Sequence, residues 1–554
     1  MKKPLIILVL IILLHLTFVI LSANQLYYGD EVIFLTAAKE IASGQITGSF
    51  GYQDGLLIKD KSIMLFHPPT YIYLLSLFIK IFGDSPYSVR AVSALFSIGS
   101  IILVYLITKK ILKKRFSEDS ENWALIATFI YAINPATIQN IILIEIDSGL
   151  LNFSMLLFIY FYISNKNFYY LIPSLFLIFS SKIIGAILIF GALFLTNLLT
   201  KDFKEVLKIL KLYIITGVLF AVSFYFYTLI FNLNFTYLFL HNSIIGVLSN
   251  FLTNPKAILR SVWSFKTFFY FATPFLTFLL ILSFYKLIKN IFLVKDYLKE
   301  NKETLFIGIY ILIIFSFNFI LGQSAYNFVK YFAITIAPII ILIIVFTPKK
   351  IKNLRKVLPL MIITALLLTT YFIIFLKDPL ISEVQGRISN SNLSEVIKLV
   401  LVRTFMYSII PIFLCIGLFQ RIPKKKLWLV LLFLLIFTSL YLDIIQSRAD
   451  YSTHNLYGDK GLEETINFLK NKPPEKIAAY IHVIYFLDYK ESLEITTLFY
   501  DMNLLEITLD KKNIEWLIIY EKDFDFIPEN ILNKFELEKQ INDYFILKRS
   551  VKLE

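Results

Sequence analysis

The chain carries a long series of apolar segments, each close to the length that crosses a lipid bilayer. A helix of about 20 apolar residues spans the hydrocarbon core of a membrane. Windows of that length predict thirteen spans, at residues 4–23, 86–108, 122–141, 148–163, 168–181, 183–199, 211–231, 266–285, 304–321, 330–347, 357–376, 401–419 and 427–446. We therefore expect a polytopic α-helical membrane protein, with the division between the fifth and sixth spans resting on a short break at Ser180-Ser181-Lys182.

The composition excludes a soluble globular protein. Apolar residues make up 57% of the 554 residues and the mean hydropathy is +0.71, whereas soluble domains are about 45–50% apolar. The formal net charge of +14 falls in short Lys/Arg clusters between the apolar segments. This distribution is typical of membrane orientation signals, so we expect membrane lipids and no nucleic acid as partners. The single cysteine, Cys415, lies in an apolar segment and excludes an intramolecular disulfide.

The basic clusters predict the orientation of the chain in a cell membrane. Short loops rich in Lys or Arg stay on the cytoplasmic side. Such loops occur at 109–115, 201–211, 286–302, 349–356 and 421–426, and the N-terminus carries Lys2 and Lys3. The N-terminus is therefore expected in the cytoplasm, with longer mixed loops at 24–85, 232–265 and 377–400 outside. A cleaved signal peptide is the alternative for the first segment, but its apolar run exceeds the usual ~7–15 residues, which favours a retained anchor.

An odd number of spans places the C-terminal residues outside the cell. We expect a transmembrane domain over 1–446, which includes the first outer loop 24–85, and a small extracytoplasmic α/β domain over 447–554. Charges become dense in the second region and apolar runs shorten. The pattern predicts a helix over 461–471 and strands over 477–487, 514–520 and 544–547.

The predicted topology gathers ionisable residues at the outer membrane boundary. Acidic residues at this depth are costly unless they are used or paired, although a solvated loop start explains Asp30 and Glu31 about equally well. Carboxylates and cations at one boundary suit a base that deprotonates an acceptor while cations hold a phosphate leaving group. The residues concerned are Asp30 and Glu31 after the first span, His67, Arg90 at the start of the second, Glu145 and Asp147 after the third, Lys182, Arg260, Lys266, Lys330 and Tyr331.

Each of these residues also has a purely structural interpretation. Arg90 and Lys182 are near span ends, where basic side chains commonly reach up to the headgroups. Asp147 is placed to cap the fourth helix, and His67 before two prolines suits a turn. No His or Cys cluster has metal-ligand spacing, so we expect no transition-metal site and no cofactor. A loosely held divalent cation on Asp30 or Asp147 stays open. The lack of a Gly-rich phosphate loop argues against nucleotide-sugar or ATP use.

The order of these motifs resembles that of the C-type membrane glycosyltransferases. The similarity is to the protein O-mannosyltransferase group (glycosyltransferase family 39-like), and especially to the branch that includes the lipid A aminoarabinose transferases. It is clear over residues 1–190 and weaker through residue 446. The motifs that carry it are Asp30-Glu31, His67-Pro68-Pro69-Thr70-Tyr71-Ile72-Tyr73-Leu74-Leu75, Phe82-Gly83, Arg90-Ala91-Val92-Ser93-Ala94-Leu95, Asp147 and Ser181-Lys182.

The resemblance implies a hexosyl- or pentosyltransferase that uses a polyprenyl-phosphate-linked sugar. The family's first-loop Asp corresponds to Asp30, a candidate general base or acceptor-binding carboxylate with Glu31 beside it, and its second acidic site corresponds to Asp147. The acceptor would be a lipid, a glycan or a protein.

The basic side chains are implied to bind the donor phosphate or to have structural roles. Arg90 and Lys182 match basic positions of the family. His67 stands where the aminoarabinose branch usually has Lys, and His is largely neutral near pH 7. Arg260 belongs to the same predicted donor-binding set, and Lys330-Tyr331 resembles a late basic–tyrosine element of the family.

Three other functions remain as alternatives, one of which is a lipid-sensing or scaffolding protein whose site has decayed. An oligosaccharyltransferase shares the predicted span number, but such enzymes carry a Trp-Trp-Asp-Tyr-Gly stretch, and the C-terminal region here has one tryptophan, Trp516. A transporter or flippase for a lipid-linked glycan is the second alternative. Transporters place polar groups near the bilayer midplane, whereas the ionisable residues here gather at one face.

Overall fold

The structure is a computed structural model, and it describes residues 3–22, 30–44, 51–53, 56–58, 68–113, 120–134, 137–138, 143–230, 280, 283–289, 300–321, 332–346, 461–472, 476–487, 492–494, 502–511, 513–524 and 527–550. The spans predicted at 357–376, 401–419 and 427–446, and most of that at 266–285, lie outside these residues. The chain divides into two compact units. The first contains Met1–Ala23, Arg90–Phe226 and Phe239–Ala449, and the second contains Asn24–Val89, Tyr227–Leu238 and Asp450–Glu554.

Apolar helices dominate the described part of the first 350 residues. They are α1 (Lys3–Ser22), α2 (Asp30–Ala42), α3 (Thr70–Phe82), α4 (Pro86–Lys113), α5 (Ser120–Ile133), a π-helical turn (Asp147–Leu151) that continues into α6 (Asn152–Ile163), α7 (Phe168–Ser181), α8 (Ile183–Leu199), α9 (Phe203–Ile230), α10 (Lys302–Leu321) and α11 (Ala333–Phe346). A short hairpin of β1 (Gly51–Gln53) and β2 (Leu56–Ile58) lies between α2 and α3.

Two of the described helices, α4 and α9, are long and apolar enough to cross a membrane. Each has 28 residues, which corresponds to about 42 Å of helix. The apolar helices α3, α7, α8 and α11 are shorter. Large apolar side chains such as Leu207, Ile214 and Ile230 of α9 are exposed, as expected for a helix face that meets lipid rather than protein.

The core of the first unit is built from packed helix pairs. Contacts join α1 to α5, α6 to α7, α7 to α8, α8 to α10, and α11 to both α10 and α5. Every residue of α11 is buried. A helix that is apolar all round belongs in the interior of a bundle, where each of its faces meets another helix.

Ion pairing joins two predicted cytoplasmic loops at one end of the first unit. Lys302 Nζ lies 2.7 Å from Asp202 Oδ2, so the start of α10 meets the turn between α8 and α9. Lys286 Nζ donates to the carbonyl oxygen of Phe346, the last residue of α11, at 2.9 Å. A cation suits that position because the carbonyls at a helix C-terminus carry a partial negative charge.

The predicted break between the fifth and sixth apolar segments is present, whereas the third helix is shorter than predicted. Helices α7 and α8 are separate, with Lys182 as the break between them. Helix α5 ends at Ile133 instead of continuing to residue 141. The physical reason is Pro135, which disfavours helical backbone at the residue before it.

The prediction for residues 24–85 did not include the helices α2 and α3. They pack against each other, and the rings of Phe34 and Tyr71 meet edge to face with centroids 5.8 Å apart. Lys39 Nζ also lies 2.5 Å from Asp84 Oδ2, in the turn after α3. Both helices are too short to be found by a window set to bilayer length.

The C-terminal part of the second unit forms a five-stranded mixed sheet with short helices. The strand order is β4-β3-β5-β7-β6, with β3 parallel to β4 and β5, and β7 antiparallel to β5 and β6. In the same unit, α2 contacts α13 and β2 contacts β4. The elements are α12 (Leu462–Lys470), β3 (Ile477–Ala479), α13 (Ile481–Leu487), β4 (Ser492–Glu494), α14 (Met502–Lys511), β5 (Trp516–Tyr520), α15 (Glu521–Phe524), α16 (Glu529–Leu532), β6 (Phe535–Ile541) and β7 (Tyr544–Arg549).

Most of the predicted C-terminal elements are present, but one strand prediction was partly wrong. The helix over 461–471 and strands over 514–520 and 544–547 correspond to α12, β5 and β7. The strand predicted over 477–487 ends at Ala479 and is followed by α13. A short apolar run does not distinguish a buried strand from a buried helix. The strand β6 was missed because five consecutive residues at this sheet edge are exposed.

Candidate functional site

A helical hairpin brings two of the predicted site residues to one end of the first unit. The π turn and α6 run away from Asp147, and α7 returns to the break at Lys182. The returning chain passes close to the π turn, because a Cβ atom added at Gly185 would lie 2.6 Å from Leu151 Cδ1. Asp147 and Lys182 therefore lie at the same end of this hairpin.

Lys182 interrupts two apolar helices with an extended backbone. Its φ and ψ are −159° and 117°, and its N–H donates to the carbonyl of Ile178 at 2.9 Å. Gly185 N–H donates in turn to the Lys182 carbonyl at 3.0 Å. The Lys182 side chain is half-buried. These backbone hydrogen bonds hold Lys182 at the break between the two helices, which is an end of the helical hairpin and not its apolar middle.

Asp147 is the first residue of the π-helical turn. The N–H of Leu151 donates to the carbonyl of Ile146 at 2.9 Å, which is the wide i to i+5 spacing of a π-helix. The N-cap position is occupied by Ile146 in helical conformation. Asp147 therefore lies inside the helical segment, which argues against its alternative role as a helix cap. Single π turns within helices are rare and are frequent at functional sites.

Helix α4 begins with a reciprocal cap. Ser88 N–H donates to Ser85 Oγ at 3.1 Å, and Ser85 N–H donates to Ser88 Oγ at 3.0 Å. Pro86 occupies the first helical position, where its missing N–H costs nothing. This start fixes the helix that carries Arg90 a few residues later.

Arg90 is the largest fully buried side chain of the described residues, with 0% of its surface exposed. A basic side chain that reaches up to lipid headgroups keeps its charged end exposed, so this burial argues against the snorkelling alternative. A buried guanidinium needs hydrogen bonds and a compensating charge to be stable. One turn further on, Ser93 Oγ donates to the carbonyl of Leu143 at 2.9 Å. The start of α4 is thereby attached to the segment that precedes Asp147.

Two glutamates that neighbour the predicted aspartates are buried: Glu31, beside Asp30, and Glu145, two residues before Asp147. Asp30 is the first residue of α2, and Glu31 beside it is 1% exposed. Glu145, which precedes the π turn, is 4% exposed. Carboxylates are rarely buried to this degree unless hydrogen bonds or cations compensate them. The solvated-loop alternative therefore does not apply to Glu31.

The predicted site residues that the structure describes divide between the two units. Asp30 and Glu31 belong to the second unit, and Arg90, Asp147 and Lys182 belong to the first. Within the described ranges, no group of three or more His, Cys, Asp or Glu side chains could hold a metal ion. His67, Arg260, Lys330 and Tyr331 lie outside the described residues.

Tyr310 supports α11, which packs against the π turn, and the sequence analysis did not include it among the site residues. Pro338 lies inside α11 and has no N–H, so the carbonyl of Ile334 lacks its usual helical partner. The Tyr310 hydroxyl donates to that carbonyl at 3.2 Å. Since α11 contacts the π turn, Tyr310 helps to hold the helix that packs against it. A proline in an apolar helix is the sequence signal that calls for such a donor.

Comparison with known proteins gives the fold its family context. Residues 66–231 match the family described as dolichyl-phosphate-mannose-protein mannosyltransferase. The chain is also similar to the crystal structure of ArnT from Cupriavidus metallidurans bound to undecaprenyl phosphate, with a TM-score of 0.61 and 14% identity over 98% of this chain and 98% of that chain. The chain therefore shares the fold of that structure. The resemblance inferred from the motifs is confirmed.

Two further solved structures share this fold. ArnT from Cupriavidus metallidurans in the apo state matches with a TM-score of 0.54 and 13% identity over 97% of each chain. The archaeal oligosaccharyltransferase AglB from Archaeoglobus fulgidus, in complex with an inhibitory peptide and a dolichol-phosphate, matches with a TM-score of 0.50 and 12% identity, over 100% of this chain and 75% of that chain. A search of curated proteins by sequence finds no match.

The family match and the candidate site overlap in sequence. The matched segment, residues 66–231, contains Arg90, Asp147 and Lys182, whereas Asp30 and Glu31 precede it. The polar end of the helical hairpin therefore belongs to the part of the chain that the mannosyltransferase family shares.

Proposed function

We propose that this protein is an integral-membrane glycosyltransferase that moves a sugar from a polyprenyl-phosphate donor to a lipid, glycan or protein acceptor at the outer membrane face. The observation that carries the proposal is the fold shared over 98% of both chains with a structure of ArnT bound to undecaprenyl phosphate. The AglB structure, which contains a dolichol-phosphate, adds a second relative in fold with a lipid phosphate of the same class.

The proposed reaction is a direct displacement at the anomeric carbon of the donor sugar. A carboxylate takes the proton of the acceptor hydroxyl, the acceptor oxygen bonds to the anomeric carbon, and the bond from that carbon to the phosphate oxygen breaks. The prenyl phosphate leaves with the bonding electrons. We assign the base role to Asp30, with Glu31 beside it, and a second acidic role to Asp147.

Cations are needed where the phosphate gains charge on leaving. We assign Lys182 to this role because it is half-buried at the same hairpin end as Asp147. Arg90 is fully buried. This burial favours an indirect role, in which the side chain acts on the site from within the bundle and does not bind the phosphate directly. His67, Arg260, Lys330 and Tyr331 complete the proposed donor-binding set.

The contacts within the first unit support the proposed orientation. Lys302 with Asp202, and Lys286 with the end of α11, bring together three loop regions expected in the cytoplasm. Lys182 lies at the opposite end of α8 from Asp202, a separation of roughly 26 Å along a helix of this length. Asp147 and Lys182 are then at the outer face, and we propose that residues 447–554 are extracytoplasmic as well.

Thiol labelling tests this orientation. In a Cys415→Ala background, a cysteine introduced at Ser452 should react with an impermeant thiol reagent added outside intact cells, and one at Ser117 should not. The reverse pattern would place the proposed catalytic end in the cytoplasm and would contradict transfer at the outer face. Labelling at both positions would indicate an even number of spans between Ser117 and Ser452 and would place the C-terminal region on the opposite side of the membrane from the proposed catalytic end.

A transfer assay with a synthetic prenyl-phosphate sugar tests the function itself. The purified protein in lipid vesicles should release free prenyl phosphate and form a glycosylated acceptor. Asp30→Asn keeps the side-chain shape and removes its basicity, so turnover should fall by about 10²-fold or more. Asp84→Asn is the matched control, because Asp84 makes an ion pair with Lys39 in the same unit. Movement of the donor across the bilayer without transfer would instead favour the flippase alternative.

A further inference from the structure

The π turn that begins with Asp147 is held by neighbouring helices in a way that local sequence does not require. Its wide hydrogen bond, from Leu151 N–H to the Ile146 carbonyl, replaces tighter α-helical bonds. Such a turn persists only where surrounding contacts stabilise it. Helices α7 and α11 contact the turn, and specific contacts to its last residue and to the residue after it come from α8 and α5.

From α5, a buried tyrosine fixes the first residue after the turn. Asn152 Nδ2 donates to the Tyr131 hydroxyl oxygen at 2.8 Å, and each of these two side chains is 2% exposed. The Asn152–Tyr131 bond crosses between helices in the apolar interior, where water does not compete for it.

On α8, Gly185 leaves space for the side chain of Leu151, the last residue of the turn. A Cβ atom at Gly185 would lie 2.6 Å from Leu151 Cδ1 and 3.3 Å from Ile178 Cγ2. A larger residue at this position requires the Leu151 side chain to shift. The glycine thus allows the backbone of α8 to approach the turn more closely than a side chain would permit.

We propose that Tyr131, Asn152 and Gly185 are positioning residues that fix the π turn and with it the backbone of Asp147 for sugar transfer. The proposal rests on the proposed function of Asp147. A displacement of about 1 Å in a catalytic group costs up to ~10²-fold in rate. Loss of the Tyr131 hydroxyl or a methyl group at Gly185 should therefore lower kcat by about tenfold or more and leave the KM for the donor nearly unchanged.

The chain offers a matched control for the tyrosine. Asn197 Nδ2 donates to the Tyr162 hydroxyl at 3.3 Å, so Tyr162→Phe removes the same kind of Asn–Tyr bond at the other end of α6. Tyr131→Phe should lower kcat and Tyr162→Phe should not. In an Asp147→Asn background, Tyr131→Phe should cause no further loss. Equal effects of the two Phe variants, or an undiminished loss in the Asn background, would overturn the positioning role.

A second pair of variants tests the glycine. Gly185→Ala should lower kcat, whereas Gly191→Ala on the same helix should not, because a Cβ atom there would lie at an ordinary 3.4 Å from Ile313 Cδ1. If Gly185→Ala has wild-type kcat, the close approach is not needed and the proposal fails for this residue.

A measurement independent of activity separates this proposal from the proposed function. In a Cys415→Ala background, an Asp147→Cys thiol should change its labelling rate when Tyr131→Phe is added and keep it when Tyr162→Phe is added. If the wild type transfers no sugar while labelling shows this difference, the proposed function fails and the turn is still held as inferred. If transfer occurs and neither kcat nor labelling responds to Tyr131→Phe, only the positioning role is overturned.

Discussion

The contact between Tyr310 and α11 predicts a specific coupling with Pro338. The Tyr310 hydroxyl donates to the Ile334 carbonyl, which is the carbonyl that Pro338 leaves without a helical N–H partner. Tyr310→Phe should strand a buried acceptor in the bundle interior. We expect a cost of about 1–2 kcal/mol, between the ~0.6 kcal/mol average for interhelical bonds in membranes and the ~3 kcal/mol upper penalty for an unsatisfied buried group.

The double mutant is the decisive measurement. Pro338→Ala supplies an N–H for the Ile334 carbonyl, so Tyr310→Phe in that background should cost less than about 0.5 kcal/mol. The unfolding free energy of all four proteins would be measured in mixed micelles by titration with a denaturing detergent. The contact of the Tyr310 hydroxyl with Met155 Sδ, at 3.6 Å, is present in both backgrounds and cancels in the cycle. Equal costs in the two backgrounds would refute the assignment of Tyr310 to the proline-freed carbonyl.

Two further predictions concern the second unit. The Lys534 ammonium and the Arg549 guanidinium lie beside Asp510 and hold the pKa of its carboxyl below the usual range. The stability from this cluster is therefore present above about pH 4 and is lost as the pH falls through the depressed pKa. Asp510→Asn should flatten the acid limb of a plot of melting temperature against pH, and an unchanged limb would contradict this. Gly461 has a φ of +99°, and a Cβ atom there would lie 2.6 Å from the Ile541 carbonyl oxygen. Gly461→Ala should therefore lower the melting temperature more than Gly44→Ala, because Gly44 has the same φ but open space around it. Equal shifts would mean that the close contact adds nothing to the roughly 1 kcal/mol cost of left-handed backbone.

Long apolar runs, together with the polar residues and prolines that end them, made the apolar helices of the first unit predictable. A bilayer-length apolar run has few stable alternatives to a helix, because lipid leaves no partner for unpaired backbone groups. The break at Lys182 and the start of α4 after Ser85-Pro86 are equally local, since a polar residue between apolar runs and a capping serine act through neighbouring backbone. The resemblance to C-type glycosyltransferases likewise needed only the order of motifs along the chain.

Tertiary structure decided between helix and strand where the local sequence pattern is compatible with both. The apolar run after Ile477 becomes first a strand and then a helix, and the charged residues of β6 become an edge strand, because each outcome depends on which neighbours pair with the backbone.

Burial is also a tertiary property. Arg90 and Glu31 have ionisable side chains that the sequence alone places at a polar boundary, and both are buried in the folded chain. The π turn at Asp147 is of the same kind, because a wide helical turn is stabilised by contacts from α5 and α8 that no local pattern encodes.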